Sequence, residues 1–248
     1  MQKSKTIVSI NPLQDLVLVN KPLGWTSFQV VNKLRYAITK FHIEILKANN
    51  VGKKKIKVGH AGTLDPLATG LLIICIGKET KNIDQYMATE KEYTGSIYLG
   101  ATTPSYDKET EVNETFDISG ITNEMIETTA KSFVGEQLQM PPVFSAIKKD
   151  GQRAYDAARK GQEIELTTRL ITIHNFEITS IELPLVHFKI NCSKGTYIRS
   201  IAYDFGKKLN NGAHLNSLCR TASGDYNLQN AVTIEEFLDN NNENNITM

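Results

Sequence analysis

One carboxylate of this chain, Asp65, lies in surroundings that suit a catalyst. It belongs to the segment KVGHAGTLDPLATGLLIICIG, residues 57–77, which is rich in small, apolar and turn-forming residues. His60 precedes it by five residues, and Pro66 favours an extended backbone at Asp65 while removing one backbone donor. The glycines permit positive φ angles and close backbone approach. The segment therefore predicts a shaped loop that presents the carboxylate, and the alternative is an ordinary Asp-Pro turn whose carboxylate caps nearby N–H groups.

The elements that position this loop follow from hydrophobic spacing. Residues 71–76 form a continuous apolar run between two glycines, which predicts a buried strand, and residues 16–19 predict a shorter strand before the turn KPLGW. Thr26 or Ser27 then caps an amphipathic helix. Its apolar face is expected to carry Phe28, Val31, Leu34 and Ile38.

Further along the chain, the pattern predicts strands over 92–99 and 186–192 and a helix over 121–133. After the second of these strands, Thr196 is expected to cap a helix that carries Tyr197 and Arg199 in its first turn. A helix N-terminus with Arg and Tyr suits an anionic ligand.

The composition is that of an ordinary soluble globular protein. Of the 248 residues, 40% are hydrophobic and 22% are charged. No apolar run approaches the roughly 20 residues of a membrane-spanning helix, and the N-terminus has no secretory pattern, so we expect a cytoplasmic protein. The cysteines are odd in number and form no C-x-x-C pair, which favours buried free thiols; they are Cys75, Cys192 and Cys219.

Charge is segregated along the chain although the net charge is only +1. Residues 1–60 contain eleven Lys or Arg against two acids, a balance of +9, whereas residues 107–137 contain eight acids against two Lys, a balance of −6. The basic run KKKIK at 53–57 lies directly before the Asp65 loop. Such a run is commonly a solvated loop, but here it could also face a polyanion such as RNA.

Several kinds of catalytic site have no support in the sequence. A phosphate-binding Walker loop, a dinucleotide glycine fingerprint, a paired-histidine metal motif and a G-x-S-x-G elbow are all missing. We therefore expect neither a cofactor nor a metal. What remains is an aspartate that could act as a nucleophile or as a general base, with Tyr, Arg and Lys residues to assist it.

Six segments, in order, resemble the TruB family of pseudouridine synthases. They are KPLGWTS, HAGTLDPLATGLL, KEY, MPPVFSAIKKDGQRAYDAARKG, CSKGTYIRS and GAHLNSLCRT. The resemblance implies isomerisation of uridine-55 to pseudouridine in the T-loop of tRNA, with Asp65 as nucleophile and no cofactor. The T-arm of tRNA is then the expected partner, and we expect the protein to be a monomer.

The reaction implied by the resemblance requires the uracil to leave the base stack and enter a pocket. There it is cut from C1′ at N1, rotated, and rejoined through C5. Asp65 could attack C1′ of the ribose, attack C6 of the uracil, or assist formation of a glycal intermediate. All three paths stay open at this point.

The resemblance also implies roles on the near side of the site. His60 would occupy the place vacated by the flipped uridine, although a histidine among glycines is commonly a turn residue. Tyr93 would stack on the uracil, although a tyrosine that opens a strand is commonly core packing. Lys21 matches the Lys-Pro of the first motif and is expected to support the catalytic loop.

Three more residues are implied to close the pocket. Tyr197 and Arg199 would cover the bound base, and Arg199 would pair with the Asp65 carboxylate and keep it ionised. The backbone of Leu218 would contact the base.

The fold implied by the resemblance is α+β, with a mixed, mainly antiparallel central sheet flanked by helices and loops and with an inserted RNA-binding loop region. We expect one catalytic domain over residues 1–238 and no C-terminal RNA-binding module. The domain would include a basic insertion at about 41–57 and a mobile thumb-like loop at about 139–168. Residues 239–248 are expected to be a disordered polar tail.

Two departures from the family pattern bear on function. The usual T-D-T-x-D is here TTPSYD, so that only Asp107 is kept beside Pro104 and Ser105, which puts a supporting contact from that loop in doubt. The basic insertion is longer than in the family, and we hypothesise that it contacts tRNA phosphates.

Two other functions compete with this interpretation. The chain could be a non-catalytic RNA-binding or RNA-folding protein on the same scaffold, but Asp65, Tyr93 and Arg199 are all present. It could also be a synthase of the same fold that modifies a different uridine, and the position of the modified base distinguishes the two.

Overall fold

The computed structural model describes residues 10–49, 56–145, 148–149, 152–153 and 166–241. The helices of this part of the chain are α1 (Ser27–Phe41), α2 (Ile43–Ala48), α3 (Ile83–Met87), α4 (Asn123–Lys131), α5 (Ile198–Lys208) and α6 (Ile234–Asn240). Its strands are β1 (Gln14–Lys21), β2 (Val58–Ala61), β3 (Ala68–Gly77), β4 (Lys91–Leu99), β5 (Ala101–Thr102), β6 (Glu114–Thr115), β7 (Gly135–Gln139), β8 (Lys148–Lys149), β9 (Gln152–Arg153), β10 (Arg169–Glu182), β11 (Leu185–Cys192), β12 (Ala213–Ser223) and β13 (Tyr226–Asn227). Two short 3₁₀ turns cover Lys78–Asn82 and Leu228–Asn230.

The chain divides into two compact units. The first comprises residues 1–89 and 219–248, and the second comprises residues 90–218. Strand β12 passes from one to the other, because its first half, 213–218, belongs to the second unit and its last half to the first. The prediction that residues 1–238 form one catalytic domain is not tested by this division into units.

In the first unit, β3 is the central strand. It pairs antiparallel with β1, from Gln14 opposite Gly77 to Lys21 opposite Gly70, and with β2 along part of its length. The predicted apolar run is the buried part of this strand, since residues 71–76 are all inaccessible to solvent. A strand buried on both faces needs such a continuous apolar sequence.

Helix α1 covers this sheet with its apolar side. It begins at the predicted place, with Thr26 as N-cap and a reciprocal capping box between Thr26 and Gln29. The buried residues of the helix are Ser27, Val30, Val31, Leu34, Ala37 and Ile38. The expectation that Phe28 belongs to this face is wrong, because Phe28 is 63% exposed. At about 100° per residue, Phe28 lies about 120° from Leu34 around the helix, outside the buried arc.

The second unit contains a sheet with the strand order β12-β4-β11-β10-β7. The pairs β4 with β11, β11 with β10, and β10 with β7 are antiparallel. Helices α4 and α5 contribute to its core, where neighbouring aromatic rings have centroids 5.7–6.1 Å apart. These rings belong to Phe133, Phe176, Phe188 and Phe205.

The start of helix α5 differs from the expectation. Its N-cap is Tyr197 and not Thr196, and the Thr196 hydroxyl donates a hydrogen bond to the Ser193 carbonyl at 2.9 Å. Arg199 is nevertheless in the first helical turn, as predicted. The difference arises because the hydroxyl of Thr196 closes the preceding turn instead of the first turn of the helix.

The pairs β1–β3, β2–β3, β4–β11, β10–β11, β7–β10, β12–β13, β5–β6 and β8–β9 are antiparallel, and Val19 and Val232 form a parallel bridge. Helices and strands together confirm the predicted α+β class. No helix in the described part of the chain is long and apolar enough to span a membrane.

Three predicted features lie partly outside the described residues. The basic insertion includes α2, but residues 50–55 are not described. The predicted thumb-like loop includes the small hairpin of β8 and β9, but most of 146–165 is not described. In the predicted tail, residues 239 and 240 end α6, and 242–248 lie outside the description.

Candidate active site

Asp65 lies in the middle of the loop that joins β2 to β3. The Ala68 amide donates to the Asp65 carbonyl at 3.0 Å, which closes the turn before β3 begins. The neighbouring Leu64 is buried, whereas Asp65 remains partly exposed. A hairpin loop between the half-buried strand β2 and the buried strand β3 thus holds a carboxylate where a ligand can reach it.

The loop is fixed to the start of helix α1 by Ser27. The Ser27 hydroxyl donates to the Leu64 carbonyl at 3.1 Å and accepts from the Leu64 amide at 2.9 Å. The Gly24 amide also donates to the Pro66 carbonyl at 2.8 Å. The residues on both sides of Asp65 are therefore tied to the KPLGWTS segment.

Lys21 lies beneath this loop and is inaccessible to solvent. Its Nζ donates to the carbonyl oxygens of Trp25 at 2.6 Å and Pro22 at 3.0 Å, with a longer contact of 3.5 Å to Pro66. Burial lowers the pKa of Lys21 to about 8, against the attraction of Asp65, which raises it, and Arg220 lowers it further. The contacts fit the predicted role of Lys21 as a support of the loop.

His60 lies on β2, at the entrance to the loop. Its pKa is lowered, first by burial and then by the positive charge of Arg220. Its Nδ1 is buried and makes no hydrogen bond within the described residues. A neutral imidazole with an unused buried nitrogen can accept or donate a hydrogen bond when a ligand arrives.

Arg220, on β12, is a residue of this group that the sequence reasoning missed. It is 1% exposed. Its Nε donates to the Leu71 carbonyl at 2.7 Å, and its Nη2 donates to the Gly62 carbonyl at 3.1 Å. The signal in the sequence was an arginine that directly follows Leu218 and Cys219 in a segment expected to form a strand.

The second unit contains a different group of predicted residues, centred on the buried Arg199. Its Nη2 donates to the Phe144 carbonyl at 2.8 Å and its Nη1 to the Ser105 carbonyl at 3.2 Å. The Asp107 carboxylate lies 3.7 Å from the Arg199 Nε. The Ser105 hydroxyl in turn donates to Asp107 at 2.7 Å.

These contacts decide the question raised by the altered TTPSYD motif. Ser105 and Asp107 both support Arg199, so the loop does contribute a supporting contact in spite of the substitutions. The predicted pairing of Arg199 with Asp65 stays a prediction.

Tyr197 is fixed by a buried glutamine. Gln139 accepts from the Tyr197 amide at 2.8 Å and donates to its carbonyl at 3.0 Å. The Arg169 guanidinium lies 5.0 Å from the centre of the Tyr197 ring. Gln139 was not predicted, and its pair of hydrogen bonds spans 58 residues of sequence.

The remaining predicted residues are Tyr93, buried on β4 opposite Ile190, and Leu218, half-buried on β12. The predicted site residues therefore fall into two groups. Lys21, His60 and Asp65 belong to the first unit, and the second unit contains Tyr93, Tyr197, Arg199 and Leu218. Each role assigned to them by the resemblance stays a prediction.

Within the described ranges, no group of three or more His, Cys, Asp or Glu is placed to hold a metal ion.

The fold is shared with solved pseudouridine synthase structures. The chain aligns with the crystal structure of a Cbf5-Nop10-Gar1 complex at a TM-score of 0.63 and 27% identity, over 92% of this chain and 54% of that one. An archaeal box H/ACA sRNP Nop10-Cbf5 complex gives a TM-score of 0.63 at 24% identity, over 92% and 53%. The chain thus spans about half the length of these chains, and its fold is the α+β fold of the pseudouridine synthases, as predicted.

Two family models that match the sequence identify one family within the pseudouridine synthases. The family described as "TruB family pseudouridylate synthase (N terminal domain)" matches residues 48–198, and the "tRNA pseudouridylate synthase B C-terminal domain" matches residues 199–246. The chain belongs to the TruB family of pseudouridylate synthases, and it is an isomerase.

Curated proteins with a similar sequence support this assignment, and the similarity extends over almost their whole length. A tRNA pseudouridine synthase B of Flavobacterium johnsoniae is 56% identical over 90% of this chain and 93% of its own. Proteins of the same name from Bacteroides fragilis and Chlorobaculum tepidum are 50% and 46% identical, over 90% and 91% of this chain and 92% and 90% of theirs.

Proposed function

We propose that this protein isomerises uridine-55 in the T-loop of tRNA to pseudouridine, in the cytoplasm, with Asp65 as the nucleophile. Relatives that are 46–56% identical over about nine-tenths of the chain bear the name tRNA pseudouridine synthase B. That similarity supports tRNA as the substrate.

The observation that carries the role of Asp65 is the way its loop is held. The carboxylate is partly exposed, while the residues next to it are tied to Ser27 and Gly24 and lie above the buried Lys21. A carboxylate fixed in this way loses little freedom when a substrate arrives, and such positioning is a main source of catalytic rate.

The reaction balances without a cofactor. The bond between C1′ and N1 breaks, a bond between C1′ and C5 forms, C5 loses a proton, and N1 gains one. The product is therefore an isomer of the substrate. An aspartate can bond to C1′ or C6 while the uracil rotates, and the target base must first leave the stack because its reacting atoms are covered within it.

The experiment that tests the proposal is a comparison of wild type with an Asp65→Asn variant on unmodified tRNA transcript. Pseudouridine is mapped by carbodiimide treatment and primer extension. Wild type is expected to produce a stop at the T-loop uridine, and Asp65→Asn is expected to produce none. Asp84→Asn, which alters an exposed carboxylate in the first turn of α3, is the matched control and should act as wild type.

Two results would contradict the proposal. A stop at another uridine would assign the chain to a different substrate position, and equal stops with wild type and Asp65→Asn would remove Asp65 from the reaction.

A further inference from the structure

A single buried side chain connects the first residue of the Asp65 loop, Gly62, to Leu71 of strand β3. The Arg220 guanidinium donates to the Gly62 carbonyl at 3.1 Å, before Asp65, and to the Leu71 carbonyl at 2.7 Å, after it. A planar guanidinium presents its donors in fixed directions. It therefore sets the spacing between these two backbone positions more strictly than a flexible ammonium could.

The backbone around Arg220 also determines how closely the loop can approach. Gly70 has a φ of +98°, and a Cβ at that position would collide with the Arg220 carbonyl oxygen and lie 2.8 Å from the Cys219 Sγ. Gly62 has a φ of +86°, and its Cβ would lie 3.2 Å from the Arg220 Nη1. Both glycines thus permit the loop to pack against Arg220.

The charge of Arg220 reaches the functional side chains of the same unit. Both of its hydrogen-bond acceptors are neutral carbonyl oxygens, and arginine does not lose its proton in proteins. Its positive charge opposes protonation of Lys21 and His60 and lowers the pKa of each. By the same Coulomb law, this buried charge favours an anion in the loop between its two hydrogen bonds.

We propose that Arg220 is a positioning residue for the isomerisation, which presents the Asp65 carboxylate by holding the start of its loop against strand β3 and favours the ionised carboxylate by its charge. The proposal rests on the proposed function of Asp65. It assigns no contact between Arg220 and the substrate. Arg220 should therefore affect the rate of the chemical step more than the affinity for tRNA.

The experiment separates the two contributions of Arg220 with two substitutions. Arg220→Lys keeps the charge but cannot bridge both carbonyls, and Arg220→Gln keeps one amide donor but loses the charge. Single-turnover rates and tRNA Kd values are measured for both, across pH 4–9. We expect Kd within about twofold of wild type, a rate about 10–100-fold lower for Arg220→Lys, and a larger loss for Arg220→Gln.

The pH profile distinguishes positioning from a purely structural role. Losing the charge in Arg220→Gln should move the acidic limb of the rate profile to higher pH, because the ionised carboxylate is less favoured. Arg220→Lys should leave that limb in place. Phe237→Leu, which alters a fully buried residue of the first unit's core, is the control for lost stability and should keep the wild-type rate and profile.

A second measurement does not depend on activity. Hydrogen exchange at the amides of residues 63–69 should accelerate in Arg220→Lys, with the amides of α1 unchanged. It uses the milder variant, so the test stands even where Arg220→Gln does not fold.

The proposal is overturned if folded Arg220 variants turn over at the wild-type rate, if the loss appears only in Kd, or if Phe237→Leu loses as much rate. These results differ from a failure of the proposed function, in which wild type itself forms no T-loop pseudouridine or Asp65→Asn equals it. Unchanged exchange in the loop of Arg220→Lys would also overturn the proposal.

Discussion

Lys21 is a buried charged residue beneath the Asp65 loop. Its ammonium makes hydrogen bonds to backbone carbonyls, yet its pKa falls from the usual 10.5 to about 8, because burial outweighs the attraction of Asp65 and Arg220 adds to the decrease. Hydrogen bonds therefore do not remove the whole cost of taking this charge out of water. Lys21 in its charged form therefore lowers the stability of the folded protein, although its hydrogen bonds hold the loop in place.

The lowered pKa predicts how stability depends on pH. Below pH 8, Lys21 is charged in both the folded and the unfolded protein, so the cost of burial is fully present. Between pH 8 and 10.5 the folded protein releases the proton while the unfolded chain keeps it, so the contribution of Lys21 to stability rises with pH, by up to about 3 kcal/mol.

Urea denaturation of wild type, Lys21→Met and Lys21→Arg between pH 7.5 and 10.5 measures this effect. The free energy of unfolding of wild type relative to Lys21→Met should rise across that window. Lys21→Arg should show no such rise relative to Lys21→Met, since arginine keeps its proton. A difference between wild type and Lys21→Met that is constant with pH would contradict the assigned pKa.

At the scale of elements, helix α1 does two things for the site. Its apolar side buries six residues in the first unit, and its first residue, Ser27, bonds to both backbone groups of Leu64. The capping box fixes the backbone at the start of the helix. Ser27, which lies in this first turn, therefore holds Leu64 and the loop in a fixed position. The Asp65 loop is therefore held from the side by α1, and Arg220 connects its start to strand β3.

Replacing Ser27 by Ala should destabilise the protein by about 1–3 kcal/mol, because the Leu64 N–H and C=O would lose their partner in a buried position. Thermal or urea unfolding gives the difference. Thr39→Ala, on an exposed position of the same helix, is the matched control and should change stability by less than about 0.5 kcal/mol. Equal effects of the two substitutions would argue against a special role for the Ser27 contact.

Across the whole chain, positive and negative charges are segregated into different segments. The first 60 residues have an excess of nine positive charges, and residues 107–137 have an excess of six negative charges. We expect a polyanion to be attracted to the first of these segments and repelled by the second.

The basic insertion is predicted to contribute phosphate contacts. A triple variant with Ala at Lys53, Lys54 and Lys55 should bind tRNA more weakly, and its plot of log affinity against log salt should be flatter by about 2, since each lost phosphate contact removes nearly one counterion from the slope. Filter binding between 50 and 300 mM salt measures both quantities.

The matched control neutralises three exposed lysines outside the insertion, Lys81, Lys108 and Lys131. It should leave affinity and slope close to wild type. The hypothesis fails if the two triple variants weaken binding equally, or if affinity and slope are unchanged when the insertion is neutralised.

Local signals made a large part of this protein predictable. The apolar run of β3, the cap at Thr26 and the alternating pattern of β11 each act over a few residues, so the sequence alone locates these elements. Phe28 was misplaced because a regular spacing does not show where the buried arc of a helix ends. Thr196 was misplaced because a hydroxyl near a helix start can bond either forward or backward.

The sequence by itself determined the α+β class, the family resemblance and the choice of Asp65, because these depend on short motifs and on the order in which they occur. Only the tertiary structure decided what holds the Asp65 loop. Arg220 bonds to Leu71 and Gly62 across 149 and 158 residues, and Ser27 bonds to Leu64 across 37. Contacts of that range exist only after the chain has folded, because no local preference of a residue specifies a partner so distant in sequence.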